Sequence, residues 1–389
     1  MKTPFFRLDE VAGVVSGSTP STTIKEYYGG DILWATPKDL SGLDDIYLSE
    51  TKKRITEAGY KSCSTTLLPA GSVLFSSRAP IGLIAIAKHE ICTNQGFKNF
   101  VCDRKKLLPE YLYYCLRFYR PMIQGLGRGA TFTEISKELI SCFKIPVPPI
   151  EKQKEVAELL IKTEQLIKKR RETLRLADDF LKSAFLEMFG DPATNPKKWP
   201  IKDFRESFSS IIYGTGSPPA YQDSGIPFVR ATNIKGGTVL SKDMKFISVE
   251  EAKKIEKCKL AFGNLILVRS GVNAGDCGLI PQPFDGAYAA YDLILKLPYP
   301  SAVFFNHLIN SDFGKTMLAP LKRRAGQPHL NAEQISSLKF ITPPIEDKQK
   351  FAVLVQKIEK YKEKLKQSET HLQSLFNSLM QRAFRGELF

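Results

Sequence analysis

A long amphipathic helical pattern near the middle of the sequence constrains the fold more than any other feature. Between Pro148 and Asp191, one stripe of residues recurs at spacings of three and four, and Lys, Arg, Glu and Asp fill the other faces. Such periodicity is typical of a helix with a coiled-coil-like seam, which needs a partner helix. The stripe, apolar except at Thr163 and Arg170, consists of Val156, Leu160, Thr163, Ile167, Arg170, Leu174, Ala177, Leu181, Ala184 and Met188.

The partner is predicted at the C-terminus, where a second copy of the pattern begins at Pro343. Both copies open with Pro-Pro-Ile-Glu and continue into charged helical sequence. The chain is therefore predicted to contain one long helix twice. The second stripe consists of Leu354, Ile358, Tyr361, Leu365, Ser368, Leu372, Leu375 and Leu379.

The segments that precede the two helices also correspond in order. SGIPFVRATNI matches GGDILWATPKDL, and LAFGNLILVRSGVNAGDCGLI matches residues 67–87, which places Arg269 close to the position of Arg78. A repeat this long indicates tandem duplication of a globular domain followed by a helix. The predicted segments are a first globular domain at 1–147, a central helix at 148–194, a second globular domain at 195–342 and a C-terminal helix at 343–389. Short β-rich runs between turns predict an α+β fold with small mixed sheets in each domain.

The charge of the chain indicates the class of its partner. The net charge is +15, and this excess of Lys and Arg favours a polyanion, with nucleic acid first and a membrane surface second. A generally basic surface without such a partner is the alternative. Seven scattered cysteines lack metal or redox spacing and are interpreted as buried free thiols. Because no apolar stretch approaches the roughly 20 residues of a membrane helix, a cytoplasmic protein without membrane contact is expected.

The repeated junctions at 148–154 and 343–350, the two helices and the paired domains resemble the specificity subunit of type I restriction-modification enzymes. The sequences MFGD at 188–191 and AFRGEL at 383–388 are similar to the helix ends of that family. The resemblance implies two target recognition domains, each reading one half of a bipartite site in double-stranded DNA, and helices paired as an antiparallel coiled coil that acts as a spacer. It also implies that two methyltransferase subunits dock on the helices and that restriction (motor-nuclease) subunits join through them. S-adenosylmethionine would then belong to the methyltransferase, ATP and Mg to the motor-nuclease, and no cofactor to this chain.

Motifs for catalysis are missing from the sequence. It contains no Asn-Pro-Pro-aromatic or Asp-Pro-Pro-aromatic tetrapeptide for methylation and no glycine-rich cofactor loop after a strand. Gly314-Lys315-Thr316 resembles the end of a phosphate-binding loop, but Ile309 occupies the place of the first glycine. The four histidines are dispersed, so no metal site is predicted. A non-catalytic subunit is therefore expected.

Polar residues in predicted loops are the candidates for DNA contact. Lys and Arg neutralise phosphates, while Arg, Lys, Asn, Gln, Ser and Thr can also read base edges. The candidates in the first domain are Lys38, Ser76, Ser77, Arg78, Asn94, Gln95, Lys98, Arg128 and Thr131. Those in the second domain are Arg230, Thr232, Asn233, Arg269, Asn273, Lys322, Arg323, Arg324, Gln327 and His329. Each of them has a structural alternative, because polar loop residues commonly form turns or face solvent.

Two further groups of residues have competing interpretations. Helical spacing favours core packing over base stacking for Tyr111, Tyr113, Tyr114, Phe304 and Phe305. Thr163 and Arg170 are either contacts for a partner or polar markers of helix register, and Arg170 is expected to reach Glu359 or Glu363.

The length of the helices suggests that they set the distance between the two half-sites. About 40 residues span about 60 Å, or about 17 to 18 base pairs of B-DNA, as an upper bound on the separation of half-sites. Two alternatives to the specificity subunit remain: a structural DNA-bridging protein with two basic domains, and an enzyme that acts alone. A neighbouring gene for an adenine methyltransferase would favour the specificity subunit.

Overall fold

The computed structural model describes residues 3–126, 134–323, 329–385 and 387. The chain forms two compact units, and each contains a globular domain and a part of both long helices. The first unit comprises Met1–Arg171 with Gln367–Phe389, and the second comprises Glu172–Lys366.

Among the described residues of the first unit, ten short strands and five helices precede the central helix. The strands are β1 (Phe5–Arg7), β2 (Ala12–Ser16), β3 (Tyr28–Ala35), β4 (Tyr47–Leu48), β5 (Arg54–Ile55), β6 (Val73–Phe75), β7 (Ile84–Ala87), β8 (Cys92–Thr93), β9 (Lys98–Cys102) and β10 (Lys144–Pro146). The helices are α1 (Leu8–Val11), α2 (Pro37–Leu40), α3 (Glu57–Lys61), α4 (Pro109–Gly125) and α5 (Lys137–Ser141). The central helix α6 spans Ile150–Phe189.

The second unit repeats this order. Its strands are β11 (Ile201–Asp203), β12 (Ser210–Tyr213), β13 (Tyr221–Gln222), β14 (Ile226–Val229), β15 (Ile234–Lys235), β16 (Gly237–Val239), β17 (Lys245–Ile247), β18 (Leu265–Leu267), β19 (Cys277–Leu279), β20 (Tyr288–Ala289), β21 (Leu293–Lys296) and β22 (Lys339–Ile341). Its helices are α7 (Val249–Lys254), α8 (Tyr299–Asn310), α9 (Asp312–Leu318) and α10 (Ala332–Ser336). The C-terminal helix α11 spans Ile345–Phe384.

The sheets of the two units have the same topology, which confirms the predicted duplication and the α+β class. The first unit has a five-stranded sheet in the order β2-β9-β6-β7-β4, and the second has the equivalent order β12-β21-β18-β19-β16 with β15 added at the edge. The smaller sheets β5-β3-β8 and β13-β17-β14-β20 also correspond, since β3 pairs in parallel with β8 and β14 with β20.

A two-stranded ladder closes each domain next to its long helix. In the first unit β1 pairs antiparallel with β10, and in the second β11 pairs antiparallel with β22. The ladders extend by one bond each, because the Val147 N–H donates to the Pro4 carbonyl at 3.0 Å and the Thr342 N–H donates to the Pro200 carbonyl at 2.7 Å. The chain therefore enters and leaves each globular domain at one place.

The long helices run antiparallel in both units. In the first unit Arg171 of α6 forms an ion pair with Glu369 of α11 at 2.6 Å, while Leu160 and Phe376 share one buried core with α4. In the second unit Lys362 pairs with Asp178 at 2.6 Å, and the rings of Phe185 and Phe351 lie 5.5 Å apart. Because residue numbers rise along α6 as they fall along α11, the predicted antiparallel pairing is confirmed within each unit.

The seam of α6 lies where the periodicity predicts it, with Val156, Leu160, Thr163 and Ile167 all buried. The Thr163 hydroxyl donates to the Leu159 carbonyl one turn earlier at 2.8 Å, which satisfies this polar group inside the seam. The tyrosines of α4 and the phenylalanines of α8 also pack in the cores, as predicted: Tyr111, Tyr114, Phe304 and Phe305 are fully buried. Tyr113 packs against the core of the first unit.

The predicted seam of α11 is partly wrong. Tyr361 and Leu375 are half exposed, and Val355 and Phe376 are buried instead. The true seam follows a strict heptad through Phe351, Val355, Ile358, Lys362, Leu365, Glu369, Leu372, Phe376, Leu379 and Ala383. Its two charged members are acceptable because Lys362 pairs with Asp178 and Glu369 pairs with Arg171. The sequence pattern alone favoured the neighbouring apolar positions.

Equivalent positions near the starts of the helices hold different polar side chains. Gln153, three residues after Ile150, is fully buried: its Oε1 accepts from the Leu108 N–H at 2.9 Å, and its Nε2 donates to the Lys106 carbonyl at 2.7 Å and the Pro148 carbonyl at 2.8 Å.

The second helix has Lys348 three residues after Ile345, and this side chain is 5% exposed. Its Nζ lies 5.4 and 5.5 Å from the ring centroids of Phe304 and Phe305. Burial lowers the pKa of Lys348, and the nearby charge of Lys202 lowers it further.

Candidate DNA interface

Loops at one edge of the sheets come together in the first unit. The Ser18 N–H donates to the Thr93 carbonyl at 2.9 Å, the Ser77 N–H to the Gly96 carbonyl at 2.8 Å, and the Ile135 N–H to the Ser77 carbonyl at 2.9 Å. These bonds join the ends of β2, β6 and β8 to the segment before α5, and a Cβ on Gly96 would lie 3.4 Å from Cγ of Pro37 at the start of α2. We call residues 17–19, 36–39, 76–80, 94–98 and 134–135 the first loop cluster.

The second unit builds the same arrangement from different residues. The Thr215 N–H donates to the Ala289 carbonyl at 3.2 Å, the Leu330 N–H to the Arg269 carbonyl at 2.7 Å, and the Arg269 N–H to Oδ1 of Asp292 at 3.2 Å. We call residues 214–217, 230–233, 269–273, 290–293 and 329–330 the second loop cluster.

Hydrogen bonds that recur in both clusters fix the correspondence residue by residue. Ile135 bonds to the Ser77 carbonyl as Leu330 bonds to the Arg269 carbonyl, so Arg269 is equivalent to Ser77. The bridges Arg78–Glu134 and Ser270–His329 likewise make His329 equivalent to Glu134. Arg269 is thus one position away from the equivalent of Arg78, and the two arginines have different surroundings.

A glycine is required where each cluster begins. A Cβ on Gly17 would lie 2.0 Å from the Asn94 carbonyl oxygen, and a Cβ on Gly214 would lie 1.6 Å from the Ala290 carbonyl oxygen. Both distances are far below van der Waals contact, so only glycine lets the first loop pass this closely over the next. The same steric constraint therefore shapes both clusters.

Several predicted DNA-contacting residues of the first unit are instead part of its framework. Ser76 and Ser77 are fully buried: the Ser76 hydroxyl donates to the Pro80 carbonyl at 2.7 Å and that of Ser77 to the Gly96 carbonyl at 3.2 Å. The side chain of Lys98 is 9% exposed and lies 3.6 Å from Glu134. Asn94 Oδ1 accepts from the Gly96 N–H at 3.0 Å and so shapes its own turn.

The solvent-facing candidates of the first unit are Lys38, Arg78 and Gln95. Lys38 and Gln95 are exposed, and Gln95 Oε1 accepts from the Thr19 hydroxyl. Arg78 is about half exposed and pairs with Glu134 at 3.0 Å. These side chains can approach a duplex without unfolding the cluster.

The candidates for DNA contact in the second unit also include both buried and exposed residues. Asn233 is fully buried and caps its turn, with Oδ1 accepting from the Arg230 N–H at 3.1 Å and Nδ2 donating to the Lys242 carbonyl at 2.9 Å. Arg230 is half-buried and donates to the Asp243 carbonyl at 2.7 Å. Thr232 and His329 are exposed, and Asn273 and Lys322 are half-buried.

Arg269 is a buried arginine at the centre of the second cluster. Its side chain is surrounded by two tyrosine rings, since its Cζ lies 4.6 Å from the centroid of Tyr213 and 4.2 Å from that of Tyr291. Its Nε donates to the Leu330 carbonyl at 3.3 Å, and one terminal nitrogen lies 2.5 Å from Nε2 of His329. Arg269 is 7% exposed and therefore cannot reach a phosphate in this conformation.

A buried carboxyl group lies next to this arginine. Asp292 is 3% exposed, and burial raises its pKa to about 6, against the opposing effects of the Arg269 N–H and the Arg269 charge. The equivalent position in the first unit is the fully buried Phe97, because the Gly17 N–H donates to the Phe97 carbonyl as the Gly214 N–H donates to the Asp292 carbonyl. The second unit therefore has a buried carboxyl group at a position where the first has an apolar side chain.

Sequence reasoning missed Thr19, Glu134, Tyr213 and Tyr291. Tyr213 and Tyr291 are 40% and 45% exposed, unlike the aromatic residues of α4 and α8. The only sequence signal for them is their position beside Gly214 and Asp292 in turn-rich stretches. Arg128, Thr131, Arg324 and Gln327 lie outside the described residues, and the side chain of Arg323 lies outside the described part as well.

Within the described residues, no three His, Cys, Asp or Glu side chains are grouped so that they could hold a metal ion. None of the described helices combines the length and apolar character needed to cross a membrane. All seven cysteines are free; four are buried, Cys63 and Cys102 are half-buried, and Cys142 is exposed.

Comparison with known proteins places these features in one family. The family model described as "Type I restriction modification DNA specificity domain" matches residues 2–176 and again 206–372. The type I restriction enzyme MjaIX specificity subunit of Methanocaldococcus jannaschii is 32% identical over 375 residues, which cover 90% of this chain and 85% of the relative. The EcoKI specificity subunit of Escherichia coli is 24% identical over 69% of this chain and 63% of its own length.

Solved structures have the same fold. A type I restriction-modification S subunit from M. genitalium superposes with a TM-score of 0.63 at 12% identity, covering 98% of this chain and 96% of that one. A chain from a study of type I restriction-modification complex assembly gives a TM-score of 0.60 at 16% identity, covering 99% and 98%. The two matched domains and the extensive identity to the first relative establish that this chain belongs to the type I restriction-modification DNA specificity family.

Proposed function

We propose that this chain is the DNA specificity subunit of a type I restriction-modification complex, and that each unit reads one half of a bipartite site. The observation that carries the proposal is the pair of loop clusters. One backbone framework, held by recurring hydrogen bonds, presents different side chains in the two units, such as Arg78 and Glu134 in one and Tyr291 and His329 in the other. This arrangement suits two domains that recognise different DNA sequences.

The charge of the chain supports DNA as its partner. A net charge of +15 lets the protein neutralise phosphates and release counterions, so its affinity for DNA decreases as the salt concentration rises. Of the predicted contacts, Lys38, Arg78, Gln95, Thr232 and His329 have accessible side chains and remain the best candidates.

The long helices set the distance between the half-sites in this proposal. Each has 40 residues, which correspond to about 60 Å at 1.5 Å per residue, or at most about 17 to 18 base pairs of B-DNA. Insertion of four residues near Arg170 is expected to lengthen the accepted spacer by one or two base pairs. If the mapped sites kept the original spacer, the helices would not act as a ruler.

The helices also dock the methyltransferase subunits in this proposal. Both carry large apolar side chains that their own unit leaves about half exposed, including Leu166 and Leu375 in the first unit and Phe180 and Tyr361 in the second. Apolar residues on the outer face of a paired helix are typical of an interface. The repeat of this face in two units favours two methyltransferase subunits, through which motor-nuclease subunits would join.

The docking face is tested with charge substitutions and neighbouring controls. Leu166→Glu and Phe180→Glu should each remove at least one methyltransferase subunit, measured by the mass of the purified complex, while Gln165→Glu and Ser183→Glu at exposed neighbouring positions should not. Retention of both subunits by the double variant Leu166→Glu/Phe180→Glu would contradict the docking role. Protein that binds DNA but never assembles with a methyltransferase would favour the DNA-bridging alternative.

Catalysis belongs to the partners in this proposal. The chain itself would hold no cofactor, S-adenosylmethionine would be bound by the methyltransferase, and ATP and Mg by the motor-nuclease. The chain would work in the cytoplasm. Cells expressing this chain with its methyltransferase partner should contain methylated adenines at one bipartite sequence, measured by methylation-sensitive sequencing, and cells lacking this chain should not. Methylation that is independent of this chain would overturn the proposal.

A further inference from the structure

The second loop cluster contains an arginine–tyrosine–histidine assembly that has no counterpart among the described residues of the first. Arg269 is nearly buried between Tyr213 and Tyr291 and bonds to His329, whereas its equivalent Ser77 contacts only backbone. The buried guanidinium cannot contact DNA directly, although it lies directly beneath two exposed side chains. Its position therefore calls for an explanation other than phosphate binding.

The Arg269–His329 contact determines which nitrogen of the imidazole carries the proton. A guanidinium has only donors, so Nε2 of His329 must accept, and the proton of the neutral ring must lie on Nδ1. Since His329 is exposed, its Nδ1–H is a donor with a fixed orientation at the surface of the cluster. An arginine used in this way selects the tautomer of its neighbour.

The same guanidinium fixes the neighbouring aromatic ring. Tyr291 stacks on Arg269, and its centroid lies 6.3 Å from that of His329. A Cβ on Gly216 would lie 3.6 Å from the Tyr291 ring, so the loop that begins the cluster packs closely beside it. Tyr213 is anchored differently, because its hydroxyl accepts from the Ala332 N–H at the start of α10 at 2.9 Å. Tyr213 is thus tied to α10 through its hydroxyl group, whereas Tyr291 packs beside His329.

We propose that Tyr291 and His329 form the base-reading surface of the second unit, and that Arg269 is the positioning residue that holds both. The proposal rests on the function proposed above, in which this unit reads DNA. The Nδ1–H of His329 donates to an acceptor on a base edge, such as purine N7 or O6 or thymine O4, and the Tyr291 ring packs against the neighbouring base pair. Selection of a base by a held donor is stricter than by a free one, because the orientation is fixed before binding.

The test uses the complex of this chain with its methyltransferase subunits. Methylation rates are measured on the preferred bipartite duplex and on duplexes with one base pair changed at each position. We expect His329→Ala to lose about three- to tenfold of the discrimination at one base pair, the effect of a single lost hydrogen bond. Arg269→Met should lose discrimination at the same base pair. The double variant His329→Ala/Arg269→Met should lose no more discrimination than Arg269→Met alone.

A matched control is available in the first unit. Glu134 is the equivalent of His329, so Glu134→Ala should change selectivity only in the other half-site and leave the base pair affected by His329→Ala unchanged. Tyr291→Ala should lower discrimination beside that base pair. If Arg269→Met fails to fold, the two variants at exposed positions, His329→Ala and Tyr291→Ala, still decide the question.

Two outcomes would overturn the inference. One is full wild-type discrimination in both His329→Ala and Tyr291→Ala. The other is a uniform loss of rate on every duplex with a smaller salt dependence, which would make His329 a backbone contact. These outcomes differ from a failure of the proposed function itself, in which the wild-type complex would methylate no bipartite site at all.

Discussion

The two loop clusters have the same backbone and opposite arrangements of charge. In the first, Arg78 and Glu134 form a partly exposed ion pair above the small buried Ser77. In the second, the arginine is at the buried position, and exposed aromatic residues lie above it. The recurring bonds are between backbone groups, so side chains can be exchanged while the loops keep their shape. The comparison teaches that this fold separates the residues that hold the loops in place from those that face solvent.

The largest expected effect concerns the glycine at the start of each cluster. Gly214→Ala and Gly17→Ala should each destabilise their own unit by more than about 3 kcal/mol, because the new Cβ would overlap a backbone carbonyl oxygen. Hydrogen exchange resolved along the chain should detect faster exchange in the altered unit and unchanged exchange in the other. Equal loosening of both units would contradict the independent frameworks inferred here.

A smaller effect is expected where the helices begin. Gln153→Leu should destabilise the first unit by about 2 to 4 kcal/mol, since it leaves the Leu108 N–H and two carbonyls without partners. Lys348→Met should leave the second unit unchanged or stabilise it by about 1 kcal/mol, because the buried ammonium is removed. Urea unfolding of both variants measures the contrast, and a strong loss in Lys348→Met would show that the contact with Phe304 and Phe305 outweighs desolvation.

The buried carboxyl group of Asp292 should make the stability of the second unit depend on pH. The pKa of Asp292 is raised from 3.8 to about 6, so the folded second unit binds this proton more tightly than the unfolded chain does. The resulting stability is fully present below pH 3.8 and is lost as the pH rises through about 6, a change on the order of 2 to 3 kcal/mol. Unfolding measured between pH 4 and 7 should have this slope in the wild type, and Asp292→Asn should remove it. A slope that persists in the variant would assign the effect to another group.

The smallest expected effect on stability is at the exposed ion pair. Glu134→Gln should lower the free energy of unfolding by about 1 kcal/mol, because the pair with Arg78 is partly exposed and screened, while the nearly buried Lys98 loses the carboxylate that lies 3.6 Å away. It frees Arg78 and removes a negative charge, so affinity for DNA should increase a few-fold and decrease more steeply with salt. Binding titrations at two salt concentrations measure both quantities, and unchanged affinity would indicate that Arg78 lies away from the duplex.

The sequence alone was sufficient to predict the features that depend on hydrophobic periodicity and on the order of repeated segments. The duplication, the two helices and the seam of α6 follow from spacing alone, because apolar residues at Val156, Leu160 and Ile167 leave one face to bury. The seam of α11 was harder to predict, because a stripe through Tyr361 and Leu375 is as regular as the stripe that is buried. Cross-helix ion pairs made Lys362 and Glu369 acceptable in the seam, and a single helix read by itself does not reveal its partner.

The interface was less predictable, because residue type does not distinguish a framework residue from an exposed one. Ser76, Ser77, Asn233 and Arg269 have the chemistry of DNA contacts, yet their partners in space are backbone groups or buried rings. Those partners come from loops far apart in the chain. Glycine and polar residues were enough to predict that these positions lie in loops, but which side chains of each loop are exposed depends on hydrogen bonds that the sequence does not reveal.

The ladders that close each domain have a consequence for how such proteins diversify. Because β1 pairs with β10 and β11 pairs with β22, a genetic exchange with crossovers in these ladders would transfer an entire domain and leave both helices intact. The ladders are held by backbone bonds that do not depend on side-chain identity, but the incoming domain must also keep the contacts that a domain makes with the helices, such as the packing of α4 on Leu160 and Phe376. A domain that keeps these contacts is exchangeable as a whole, so recombination between related genes can combine existing domains into new pairs in a single step.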